Sequence, residues 1–136
     1  MNRPPRPPLQ HPLTGLFDRA VDSLTAALNP DTARHYRGTA RNFLSYLGAD
    51  HPPVNSLSLL RRQPHILGWM SRLHSQRPPL ATASYINLLI TLRCIFNELA
   101  WYHQLFELAD LIRREDIPRL PHRLPRPLTP EQDQLL

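Results

Sequence analysis

The apolar residues of this chain recur at steps of three and four between its prolines, which is the spacing of a buried helix face. The first such stretch runs from Leu13 to Leu28 and the second from Pro30 to Gly48. The second follows Asn29, a residue type that caps helices, and its proline suits a first helical turn. No stretch shows sustained alternation of apolar and polar residues. The pattern therefore predicts helices.

Three further helices are expected. The third covers Pro64 to Ser75, and the fourth, from Leu80 to about Tyr102, carries the clearest stripe: Tyr85, Leu88, Leu89, Leu92, Ile95, Phe96 and Leu99. Ile86 and Ile90 add a second apolar face, so this helix is expected to be the most buried. A short fifth helix, Gln104 to Arg114, carries Leu105, Leu108, Leu111 and Ile112. Together they predict a compact all-α bundle of four to five helices.

The placement of the prolines divides the chain. There are 16 prolines among 136 residues, and they crowd both ends. Proline removes a backbone donor and fixes φ, so such segments are expected to lie outside the helices. We expect a disordered head over residues 1–12, a helical domain over 13–117 and an extended basic linker over 118–128. Thr129, Pro130 and Gln132 then form a helix-start pattern, so residues 129–136 are expected to begin a second domain.

Charge and cysteine content narrow the class of protein. All 16 basic residues are arginine, the formal net charge is +5, and the pI is about 10.3, which favours an acidic partner such as nucleic acid. The single cysteine, Cys94, excludes an internal disulfide and fits a reducing compartment. No apolar run is long enough to span a membrane, and the seven histidines show no metal-ligand spacing. We therefore expect a cytoplasmic protein without a membrane association, metal, cofactor or small-molecule ligand.

Arginines on the second predicted helix are candidate contacts to nucleic acid. Arg34, Arg37 and Arg41 fall within an arc of roughly 60°, with His35 beside them. Guanidinium groups form charge-assisted hydrogen bonds to phosphates and bidentate contacts to guanine. A second contact surface is expected from Arg72 and Arg77 at the end of the third helix and from Thr82, Ser84 and Asn87 at the start of the fourth. A solvated surface and helix caps are the alternative interpretations.

Three segments, taken in order, resemble one known family. They are Thr32-x-x-x-Tyr36 with Phe43-Leu44-x-Tyr46-Leu47, then Leu80–Asn87 continuing through Leu92–Phe96, and finally Leu124–Leu136. The first resembles the "T…Y…FL.YL" signature of the core-binding, SAM-like domain of tyrosine recombinases and phage-type integrases. The second is similar to a later helix of that domain, and the third to the linker and first helix of the family's catalytic domain.

The resemblance implies a helical domain that grips one side of a DNA recombination site, while a catalytic domain beyond the linker grips the other. It matches DNA-contact positions with Arg34, His35 and Arg41 on the second helix and with Ala83, Ser84 and Asn87 on the fourth. Ala83 departs from the basic residue often found there. The linker residues Arg119, Arg123 and Arg126 would cross the duplex backbone. The implied partners are double-stranded DNA and other recombinase protomers.

The resemblance also implies that this chain holds no catalytic residue. The family's tyrosine nucleophile and the groups that stabilise charge at the phosphate belong to the second domain. Tyr36, Tyr46, Tyr85 and Tyr102 are interpreted as core or rim aromatics instead. Two other interpretations stay open: a helical protein-interaction module with the segment Arg3–Pro8 as a polyproline ligand, and a decayed gene product without a function.

Overall fold

Four α-helices make up most of the chain between residues 10 and 119, which is the part that the computed structural model describes. They are α1 (Thr14–Thr25), α2 (Pro30–Asp50), α3 (Leu67–Ser75) and α4 (Thr82–His103). Shorter helical turns lie at Leu57–Leu59, Arg62–Ile66, Phe106–Asp110 and Arg114–Asp116. These residues include no strand, which confirms the all-α prediction. The predicted proline-rich head, linker and second-domain start fall almost entirely on residues 1–9 and 120–136, outside the described residues.

The start of α2 sets the latest point at which α1 can end. Asn29 is extended, with ψ at 140°, and its side-chain oxygen accepts a hydrogen bond of 2.8 Å from the backbone N–H of Asp31. Pro30 keeps the residue before it out of the helical conformation. The chain therefore has to leave the helix before Asn29. α1 ends at Thr25, three residues earlier than predicted; the backbone N–H of Leu28 bonds to the Thr25 carbonyl at 2.9 Å, and the Leu28 side chain is 49% exposed.

α4 is the most buried helix, as predicted, and it packs against α1, α2 and the turn Phe106–Asp110. Its predicted stripe faces the core, with Leu88 only partly buried. The predicted second apolar face is wrong in one position, because Ile86 is buried but Ile90 is 43% exposed. Residues 114–119 line a groove together with Ile90, and within the described part of the chain they leave its side chain partly exposed.

Aromatic rings join the four helices at the centre of the core. The Phe43 ring on α2 lies 5.5 Å from both Trp69 on α3 and Phe96 on α4, measured between ring centroids. Phe17 on α1 lies 6.2 Å from Phe43. All four rings are at most 1% exposed. Edge-to-face packing of this kind adds to the free energy gained from burial.

Two further helices are shorter than expected. α3 starts at Leu67 rather than Pro64, because Pro64–Ile66 belong to the separate irregular turn Arg62–Ile66, in which Gln63 is extended. The fifth helix is reduced to the 3-10 turn Phe106–Asp110, since Gln104 adopts a left-handed conformation with φ of 58° and ends α4. The spacing of Leu105, Leu108 and Leu111 is three residues, which fits a 3-10 helix as well as an α-helix.

Candidate nucleic-acid interface

The outward face of α2 carries the three predicted arginines, which we call the arginine stripe (Arg34, Arg37 and Arg41). All three are exposed, whereas Phe43 and Leu47 on the same helix are fully buried. At about 100° per residue, Arg34 and Arg41 point roughly 160° and 140° away from the centre of the buried face, and Arg37 points roughly 100° away from it. The arginine stripe is therefore a solvent-facing surface on a helix that the core holds in place.

Two members of the arginine stripe have acidic partners that the sequence pattern did not indicate. Arg37 pairs across to Asp22 on α1, with a nitrogen–oxygen distance of 2.9 Å, and Arg34 pairs with Asp31 on its own helix at 3.3 Å. These pairs are largely exposed, so each contributes little to stability and an incoming anion competes with it readily. Arg41 makes no ion pair with any residue between 10 and 119.

A hydrogen bond brings the two predicted contact helices together. The Nε2 atom of His35 on α2 lies 3.2 Å from the hydroxyl oxygen of Thr91 on α4, and Thr91 is only 4% exposed. Asn87 and Ser84 precede Thr91 by four and seven residues, so they lie on the same face of α4. The arginine stripe and the polar start of α4 therefore belong to neighbouring surfaces. His35 joins them through its ring nitrogen.

The first turn of α4 is exposed and lacks a side-chain cap. Ala81 occupies the capping position and makes no side-chain hydrogen bond to the helix. Thr82, Ser84 and Asn87 are all exposed. The capping interpretation of Thr82 and Ser84 is therefore wrong, because the capping position belongs to an alanine. The free backbone N–H groups and the positive end of the helix dipole make this turn suited to a phosphate.

The remaining predicted contacts are more scattered. Arg72 pairs with Asp50 at 2.9 Å, and its guanidinium lies 5.9 Å from the Tyr46 ring centroid. Arg77 is exposed and donates a hydrogen bond of 3.3 Å to the carbonyl of its neighbour Gln76. Arg119 is exposed at the end of the described residues, and Arg123 and Arg126 lie outside them.

A bidentate ion pair fixes the segment after α4. The two terminal nitrogens of Arg62 each donate to one carboxylate oxygen of Asp116 at 2.6 Å, and Arg62 also donates to the carbonyl of Leu111 at 2.9 Å. The bonded guanidinium lowers the pKa of Asp116 below its ordinary value. Arg62 and Asp116 are 54 residues apart, so no local pattern in the sequence indicates the pair. It has a structural role.

The four tyrosines divide between the core and the surface. Tyr46 and Tyr85 are buried, Tyr36 is partly buried and Tyr102 is 75% exposed. Burial raises the pKa of Tyr36, Tyr46 and Tyr85 above the ordinary value, which disfavours the phenolate form of each. Tyr46 and Tyr85 thus lie in the core, and Tyr36 and Tyr102 lie at its rim or on the surface.

The described residues contain neither a candidate metal site nor a candidate membrane span, and the comparisons with known proteins found no relative. Between residues 10 and 119, no cluster of three or more histidine, cysteine or acidic side chains could hold a metal ion. Within the same range, no helix combines the length and apolar character that a membrane span needs. No protein-family model matches the chain, and neither the curated proteins nor the solved structures include a match to it.

Proposed function

We propose that the chain binds double-stranded DNA through the outward face of α2 and the first turns of α4, as the core-binding module of a site-specific tyrosine recombinase or integrase. Two observations carry the proposal. The arginine stripe faces solvent, and His35 of the same helix contacts Thr91 of α4, whose exposed, uncapped start carries Ser84 and Asn87 on the Thr91 face.

The charges on this surface suit a phosphate backbone. Three arginines and their partners Asp22 and Asp31 leave one net positive charge on the outward face of α2. Because both pairs are exposed, phosphates can replace the carboxylates at little cost. Arg41 needs no such exchange. An α-helix fits the major groove of B-form DNA, where arginine also reads guanine.

The resemblance to core-binding domains supports the recombinase part of the proposal. Its first two motifs lie on α2 and α4, and the positions it matches with DNA contacts, Arg34, His35, Arg41, Ser84 and Asn87, are all exposed. In this proposal the chain holds the duplex, and the strand-transfer chemistry belongs to a second domain.

The test replaces the arginine stripe. The triple variant R34Q/R37Q/R41Q removes three positive charges from α2 and keeps residues that favour a helix. We expect its affinity for a duplex, measured by fluorescence anisotropy at about 0.1 M salt, to fall by roughly tenfold for each arginine that binds a phosphate in the wild type. The circular dichroism spectrum and the melting temperature should stay close to those of the wild type.

The matched control is R19Q/R61Q/R113Q, which makes the same change in net charge at exposed positions that lie outside both α2 and α4. We expect this variant to keep most of the wild-type affinity. Equal decreases in affinity in the two triple variants would mean that only overall charge matters, and would contradict the assignment of the interface to α2.

A further inference from the structure

A second basic surface lies on α4, on the side away from α2. It is a groove with a volume of about 830 Å³. One side is formed by Ile90 and Arg93 of α4, and the other by residues 114–119. Its lining comprises Ile90, Arg93, Arg114, Glu115, Ile117, Pro118 and Arg119. Three arginines and one glutamate give it two net positive charges. We call it the arginine groove.

Arg93 lines this groove and has one donor without an acceptor. Its Nε–H is buried, and no acceptor among the described residues lies within hydrogen-bond distance. A buried donor without an acceptor costs free energy, so such a group normally has a bound partner. Arg114 and Arg119 lie in the lining of the same groove. An oxyanion bound beside the three arginines would accept hydrogen bonds from them and offset their positive charge.

The acidic residues nearby are already engaged. Asp116 accepts hydrogen bonds from Arg62 and from the backbone N–H of Arg113, and Asp110 pairs with the Arg113 side chain at 3.3 Å. Glu115 is the one carboxylate in the lining of the groove, and it forms no ion pair with a described residue. Glu115 therefore offsets one of the three positive charges of Arg93, Arg114 and Arg119, and two remain.

We infer that the arginine groove binds a phosphate of the DNA backbone, with Arg93, Arg114 and Arg119 as the positive charges of the site. The inference rests on the proposed function. Asn87 and Ile90 are three residues apart and are therefore neighbours on the surface of α4. A duplex that contacts Asn87 continues past Ile90 toward this groove, where Arg119 begins the basic segment of the chain.

The experiment uses the full chain and two probes, inorganic phosphate and a short duplex. In proton–nitrogen spectra of the arginine Nε–H groups, we expect the Arg93 signal to shift with either probe. The variant R114Q/R119Q keeps Arg93 and leaves the core intact. We expect the slope of log K against log salt for duplex binding to become shallower by about 0.9 for each phosphate that the two arginines bind, up to two phosphates. R19Q/R61Q, with the same change in charge, should keep the wild-type slope.

Three other outcomes would overturn the inference, and each shows whether the proposed function fails with it. An unchanged slope in R114Q/R119Q, with R34Q/R37Q/R41Q still impaired, would reject the groove and leave the proposed function standing. A response of Arg93 to inorganic phosphate without any response to the duplex would reject the assignment to DNA. A wild-type chain that binds no duplex at low salt would reject both proposals.

Discussion

At the scale of single residues, two glycines in helices have opposite surroundings. Gly68 on α3 faces the Tyr46 hydroxyl so closely that an added Cβ would collide with it, and that hydroxyl is hydrogen-bonded to Nε2 of His51 at 2.9 Å. Gly38 lies on the outward face of α2, where an added Cβ meets nothing within 4 Å. One glycine permits a close approach between helices, and the other only weakens its helix.

The matched substitutions to alanine test this contrast. G68A is expected to destabilise the fold by about 1–3 kcal/mol, because Tyr46 has to move and the bond to His51 is disturbed. G38A is expected to stabilise it by about 0.5–1 kcal/mol, because alanine favours the helix. Urea unfolding of the two variants and the wild type measures both changes. A decrease in stability in G38A would mean that the outward face of α2 is covered, which contradicts its role as a free surface.

At the scale of elements, the segment after α4 depends on one ion pair. The Arg62 side chain is 23% exposed and that of Asp116 is 13% exposed, so removing one partner leaves a partly buried charge without compensation. R62Q is expected to cost about 1–3 kcal/mol, and amide hydrogen exchange should increase in residues 106–117 before it increases in α2. The exposed pair of Arg113 and Asp110 supplies the control, because R113Q should change stability by less than about 1 kcal/mol. Equal effects of R62Q and R113Q would contradict the structural role of Arg62.

The elements also show what the sequence could predict. The stripe on α4 and the cap of α2 are local signals, and both predictions hold in the structure. The spacing of Leu105, Leu108 and Leu111 did not distinguish an α-helix from a 3-10 turn. The exposure of the arginine stripe follows from periodicity, but its pairing with Asp22 does not, because that contact joins two helices. The position of Arg93 in the arginine groove likewise depends on where the chain passes after α4.

At the scale of the whole molecule, the buried His65 and the partly buried His11 link stability to pH. Burial lowers the pKa of His65 and of His11 below the ordinary value of 6.5. His51 and Arg61 add to the effect at His65, and the His51 ring lies 4.8 Å from the His65 ring. As pH falls through 6.5, the unfolded chain takes up protons that the folded chain does not bind until lower pH, so stability decreases. Above this window both states hold neutral histidines at these positions, and their contribution is constant.

We expect the free energy of unfolding to decrease from about pH 8 to about pH 5, before the carboxylates titrate. Urea unfolding at several pH values measures it. In the wild type, Nδ1 of His65 accepts a hydrogen bond of 2.9 Å from the backbone N–H of Arg61. The variant H65N keeps a side-chain acceptor at this position and removes the imidazole that titrates. Its stability should depend less on pH than that of the wild type. A wild-type stability that does not change over this range would contradict the prediction.

The proposed interface extends over the whole molecule, because α2, α4 and the segment at Arg119 each supply part of it. Core packing of Phe17, Phe43, Trp69 and Phe96 fixes the helices relative to one another, so the surface is formed before a ligand arrives. A preformed surface loses little conformational entropy on binding. Affinity should therefore depend mainly on phosphate contacts.

The most direct test of DNA binding is a titration of the wild-type chain with duplex DNA at several salt concentrations. Phosphate contacts release counterions, so log K should fall linearly with log salt at a slope of about −0.9 per contact. With roughly four to six contacts, the account predicts a slope between about −3.6 and −5.4. Binding that does not depend on salt, or no binding at low salt, would contradict it.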